Sequence, residues 1–180
     1  MRPPVDGRFG RVWCVDLIER TYTTWTGHDE AVTSLSVTPD RRDVVVAYED
    51  GTVQRHELGG ARVETLSVRH DDGSYAQLCA RDDGRCVSLD FVGVRVWRLD
   101  DGHIETLIPR EKWMEISENG CWCVRQEDGV RATLFELTRG TVVGHWTNPW
   151  EITVANVTDD GTVLIGDIRG QFTVLHIAGG

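Results

Sequence analysis

The sequence predicts an all-β fold assembled from one repeated unit of about 40 residues, long enough for four short strands. Three observations predict it. First, a strand-like stretch ending on an aliphatic residue recurs: Val12 to Leu17, Val53 to Leu58, Val94 to Leu99, Ala132 to Leu137 and Phe172 to Ile177. The closing aliphatics lie 41, 41, 38 and 40 residues apart. Second, turn-forming pairs recur in step. Asp40-Arg41, Asp83-Gly84, Asn119-Gly120 and Asp160-Gly161 follow those aliphatics by 23, 25, 20 and 23 residues. Asp-Gly and Asn-Gly tolerate positive φ and so favour tight hairpins. Third, Val, Ile, Thr and aromatics dominate the segments between turns. Val32, Ser34 and Ser36 alternate with Thr33, Leu35 and Val37, and no window sustains helical spacing.

Taken in order, the units fall at about 10–26, 31–66, 74–107, 112–147 and 151–177 of one domain. Residues 10–26 read as the last two strands of a unit. The next three units are complete, and 151–177 supplies the first three strands of another. Four strands per period of about 40 residues is the arithmetic of a β-propeller blade.

Gly27-His28-Asp29-Glu30-Ala31-Val32, continuing through Pro39-Asp40 to Tyr48-Glu49-Asp50-Gly51-Thr52-Val53, resembles the opening and second hairpin of a WD repeat. The resemblance covers about residues 10–177. One repeat is close to the family pattern and the others are degenerate. The Trp-Asp pair is nowhere intact: Trp97 precedes Arg98, Asp16 follows Val15, and His56, Phe135 and Leu175 take the Trp position elsewhere. The resemblance implies a WD-type β-propeller, whole or partial, of about four blades. It also implies a structural hydrogen-bond network of His70, Ser88, Asp90 and Trp97. His28 and Asp50 stand at the matching places one repeat earlier, and Asn148 at the place before the last.

Composition bounds the chemistry. The formal net charge is −10, and the longest basic run is Arg41-Arg42. Phosphate neutralisation needs clustered Lys and Arg, so nucleic acid and anionic membranes are not expected partners. The first 20 residues hold no long apolar stretch, and no run is long enough to span a bilayer. Five cysteines, an odd number without framework spacing, fit a reducing, cytoplasmic setting.

The phosphate-loop, nucleophile-elbow, HExxH and CxxC patterns are all missing from the sequence, so no catalytic residue, cofactor or metal is expected. The Asp-Gly pairs lack the alternating ligand spacing of a calcium loop and read as turns. Cys121 and Cys123 are expected on one face of a strand, packed inside as small hydrophobes.

The function expected from the resemblance is a non-catalytic scaffold or adaptor gripping a protein or peptide, with a basic peptide suiting the acidic loops. The binding set comprises Asp29, Glu30, Tyr48, Glu49, Asp72, Asp90, Phe91, Gln126, Trp150 and Asp167. Trp150 either anchors a partner or plugs its own blade. The alternative is a regulatory sensor module of a larger multidomain signalling ATPase. The blade count leaves closure open. Either the ring closes early, or a second copy or the rest of a larger propeller covers the ends.

Overall fold

Alternating side chains make each meander of this chain apolar on both faces, and the structure solves this by stacking meanders. It is a computed structural model describing residues 11–26, 28–70 and 77–177. The described residues form seventeen strands in five antiparallel sheets, without a helix, so none is long and apolar enough to cross a membrane.

The first sheet pairs β1 (Arg11–Asp16) with β2 (Thr21–Thr26). The second orders β3 (Val32–Val37), β4 (Asp43–Tyr48), β5 (Thr52–Glu57) and β6 (Val63–Arg69). The third holds β7 (Gln77–Ala80), β8 (Arg85–Leu89), β9 (Gly93–Arg98) and β10 (Ile104–Pro109). The fourth holds β11 (Met114–Ile116), β12 (Trp122–Gln126), β13 (Arg131–Glu136) and β14 (Thr141–Thr147). The fifth holds β15 (Ile152–Val157), β16 (Val163–Asp167) and β17 (Phe172–Leu175). Each sheet is a meander in sequence order, as short hairpin connections dictate.

The sheets stack face to face in chain order. Val12 and Trp25 pack on Val44, Val46 and Tyr48 of the second sheet. Val45, Val53 and Leu66 meet Leu78, Cys86 and Trp97 of the third. Val87, Val94 and Val96 meet Met114, Cys123 and Phe135 of the fourth. Val124 and Ala132 meet Ile152, Ala155 and Ile165 of the fifth. The second sheet shows burial on both faces of a middle strand: every residue of β4 is enclosed. That explains the continuous run Val44-Val45-Val46-Ala47 where a one-sided strand would alternate.

First strands also knit neighbours together. Ser34 and Ser36 of β3 accept hydrogen bonds from the backbone amides of Leu78 (3.1 Å) and Ala80 (2.9 Å) of β7. Those serine hydroxyls satisfy an edge that would otherwise present bare donors. At the end of the fourth strands the backbone comes very close to the preceding turn. A Cβ on Gly51 (φ 84°) would stand 2.0 Å from the His70 carbonyl oxygen, so only glycine fits there.

Cys121 departs from expectation. It lies in the turn that Gly120 (φ 65°) makes, before β12 begins, and its amide donates to Asn119 Oδ1 (2.9 Å). It is half-buried, whereas Cys123 is fully enclosed. The turn thus extends one residue further than strand alternation suggested.

Trp97 is wholly buried, and its indole N–H donates to Ser88 Oγ at 3.1 Å. Replacing it with Ala should cost about 3–5 kcal/mol in chemical unfolding; an unchanged midpoint would contradict this packing. The thiols give a second check. Burial pushes Cys79 up to about 11 and Cys123 up to about 12, and raises Cys86 further. A thiol reagent should therefore label Cys121 in the native protein and reach Cys86 and Cys123 only on unfolding.

Candidate interaction surface

Antiparallel meanders send two kinds of loop to the same end of every sheet: the entry to the first strand and the turn joining the second and third. In three sheets these two loops are tied by a polar pair. His28 Nε2 lies 3.5 Å from Asp50 Oδ2, His70 Nδ1 2.8 Å from Asp90 Oδ2, and Asn148 Nδ2 3.3 Å from Asp167 Oδ2. Each aspartate also caps its own turn. Asp50 Oδ1 accepts from the Thr52 amide (2.9 Å), Asp90 Oδ1 from the Val92 amide (2.8 Å), and Asp167 Oδ1 from the Arg169 amide (2.9 Å). One carboxylate therefore fixes two loops, which is why this end is preorganised.

The pair in the third sheet is the most enclosed. Asp90, His70 and Arg95 are all buried, and Arg95 donates to the same Asp90 oxygen as His70 does. Burial by itself raises the Asp90 carboxyl. The hydrogen bonds from His70 and Arg95, and the Arg95 charge, outweigh it and take the carboxyl down to about 2. The second sheet lacks a Trp, and Tyr48 with His56 takes its place. Tyr48 stacks on His28 with ring centroids 4.3 Å apart, and its hydroxyl meets His56 Nε2 at 3.2 Å. Burial, then the Asp50 charge, pushes the phenol up to about 12.

The ten residues expected to bind therefore divide. Tyr48, Asp90 and Asp167 are buried and hold the loops from within, so their side chains do not face a partner. Gln126 is half-buried and bridges the fourth and fifth sheets, its Nε2 donating to the carbonyls of Gly129 (3.2 Å) and Ile152 (2.9 Å). Asp72 lies outside the described residues. Asp29, Glu30 and Glu49 are exposed and form an acidic corner beside Asp50. Phe91 and Trp150 are exposed aromatics on loops of this end, at 63% and 37%.

Two cations that sequence reasoning passed over complete those aromatics. The Arg110 guanidinium sits 5.6 Å from the Phe91 ring centre, and Arg169 sits 3.6 Å from that of Trp150. Arg110 is itself anchored, donating to the carbonyls of Asp90 (3.2 Å) and Lys112 (2.9 Å). Each Arg is 19 residues from its ring: Arg169 is on the other loop of the same sheet as Trp150, and Arg110 is on the loop from the third sheet to the fourth, so no local spacing signals either pair. Arg95 was equally silent, being one of two arginines in an otherwise apolar strand.

The opposite end holds a wide open recess of about 780 Å³ lined by Arg55, Arg81, Arg85 and Arg98. Carboxylates already claim these cations: Asp43 meets Arg55 (2.5 Å), Asp83 meets Arg81 (2.8 Å), Glu105 meets Arg85 (2.6 Å), and Asp101 meets Arg98. The recess is therefore a neutralised groove with little to offer an anion. Among the described residues, no three His, Cys, Asp or Glu side chains gather as a metal site would need.

No protein-family model matches the chain. No curated protein matches it either. Among solved structures it is similar to the crystal structure of the computationally designed Ika4 protein, with a TM-score of 0.62 and 18% identity. The match covers 84% of this chain and 94% of that one. At that identity the likeness concerns fold alone.

The depressed Asp90 carboxyl makes a pH prediction. Its folded value lies below the ordinary 3.8, so its stabilisation is complete above that pH and is lost as pH falls toward about 2. Asp90→Asn should cost about 3–5 kcal/mol at neutral pH by leaving Arg95 buried and unpaired. Its deficit against wild type should shrink across that acid window. A deficit independent of pH there would contradict an ionised Asp90.

Proposed function

We propose that the chain is a WD-type β-propeller, or part of one, of about four four-stranded blades, acting as a non-catalytic scaffold for a protein or peptide. The succession of four-stranded meanders stacked on shared apolar faces supports the propeller reading. The observation that carries the binding reading is the pair of exposed loop aromatics, Phe91 and Trp150, each with a guanidinium over its ring. Ordinary loops hide large aromatics, and interfaces use them as anchors, because they bury much area for few rotatable bonds. Arg110 is itself hydrogen-bonded and so steadies the Phe91 ring, which leaves less order to be imposed there on binding.

The acidic corner of Asp29, Glu30 and Glu49 adds direction. With a formal net charge of −10, the chain attracts a partner that brings positive charge, and the corner sets its orientation. Basic peptides with an apolar residue suit both features.

Peptides selected from a random display library against the intact chain test this reading. They should carry Lys or Arg, bind more weakly as salt rises, and lose at least about 1–2 kcal/mol of affinity on Phe91→Ala or Trp150→Ala. Asp82→Ala, at the far end, should leave binding unchanged. Selected peptides indifferent to both aromatic substitutions would refute the assignment of this end.

A further inference from the structure

The two outermost sheets of the stack carry the same apolar faces as the inner ones, and among the described residues neither is covered. The register of the third strands shows this directly. Counting back from each closing aliphatic, the residue five before it points to the following sheet: Val53, Val94 and Ala132, each at most 3% exposed. In the fifth sheet that position is Phe172, which is 79% exposed. Val174, two residues on, and Leu164, registered opposite it, share this face at 40% and 41%.

The other side of the repeat behaves the same way. Two residues before the closing aliphatic, Trp97, Phe135 and Leu175 pack on the preceding sheet. In the first sheet that position is Val15, 56% exposed, with Tyr22 opposite it at 47%. The first sheet's inward face is already spent on Val44 and Val46.

We infer that the outer face of the fifth sheet docks on the outer face of the first sheet of a second copy of this chain, head to tail. The argument is continuity. At every internal junction, the face carrying the residue five before the closing aliphatic meets the face carrying the residue two before it. The fifth sheet offers the former without a partner, and the first sheet offers the latter. A second copy presents the matching surface, of the same repeat and with the same pitch. Such a contact is heterologous, joining different patches, so each chain has one of each to satisfy. This surface is the outer sheet face and does not include the loop aromatics Phe91 and Trp150.

Sedimentation equilibrium of the full chain over a wide concentration range tests the inference, with two variants at exposed positions that leave the core intact. Wild type should exceed 20.2 kDa and reach at least twice that mass. Phe172→Asp alone and Tyr22→Asp alone should each fall back toward the single-chain mass, with thermal melting of the monomer retained. Mixed together, the two should recover a one-to-one pair, because one intact face remains on each. Wild type at 20.2 kDa throughout, as when the chain's own first sheet or a different partner covers the face, would overturn the inference. So would assembly that survives Phe172→Asp, or variants that fail to recover a pair on mixing.

Discussion

The rest of this structure depends on one constraint: a middle strand whose alternate residues are apolar on both sides must be covered on both sides. A β-sheet with two apolar faces has no solvent side, so it cannot stand as a layer by itself. Val45 faces the third sheet and Val46 the first, and both are completely enclosed. Stacking of like units is the direct answer, and it makes stability a sum over neighbouring junctions.

That same constraint positions the loops. Once sheets are fixed face to face, the entry loop and the second hairpin turn of each sheet arrive side by side at one end. Polar chemistry then finishes what packing began. His28 with Asp50, His70 with Asp90, and Asn148 with Asp167 repeat one carboxylate-centred tie in three chemical forms. The enclosed version recruits Arg95, since a carboxylate without water needs more than one donor to remain ionised. The exposed aromatics sit on loops that these ties hold.

Much of the architecture was legible because strand order follows chain order. The 40-residue ladder and the hairpin pairs at Asp83-Gly84, Asn119-Gly120 and Asp160-Gly161 all fall between consecutive strands of one meander. The site was less legible. Loop position alone grouped Tyr48, Asp90 and Asp167 with Phe91 and Trp150, yet the first three turn inward to hold the loops. Sequence places a residue on a loop but does not say whether its side chain closes that loop or leaves it. The Arg110–Phe91 and Arg169–Trp150 pairs each join two loops, and only the folded register brings them together. Cys121 shows the limit at an element's edge, where a glycine turn overrode strand alternation by one residue.

Residue-resolved amide hydrogen exchange, measured on the monomeric Phe172→Asp variant, tests the covering constraint most directly. Protection should be greatest in β8, β9, β12 and β13, whose sheets are covered on both faces, and should fall off in β1, β2 and β17, whose sheets are covered on one. Equal protection of β2 and β9 would contradict the account.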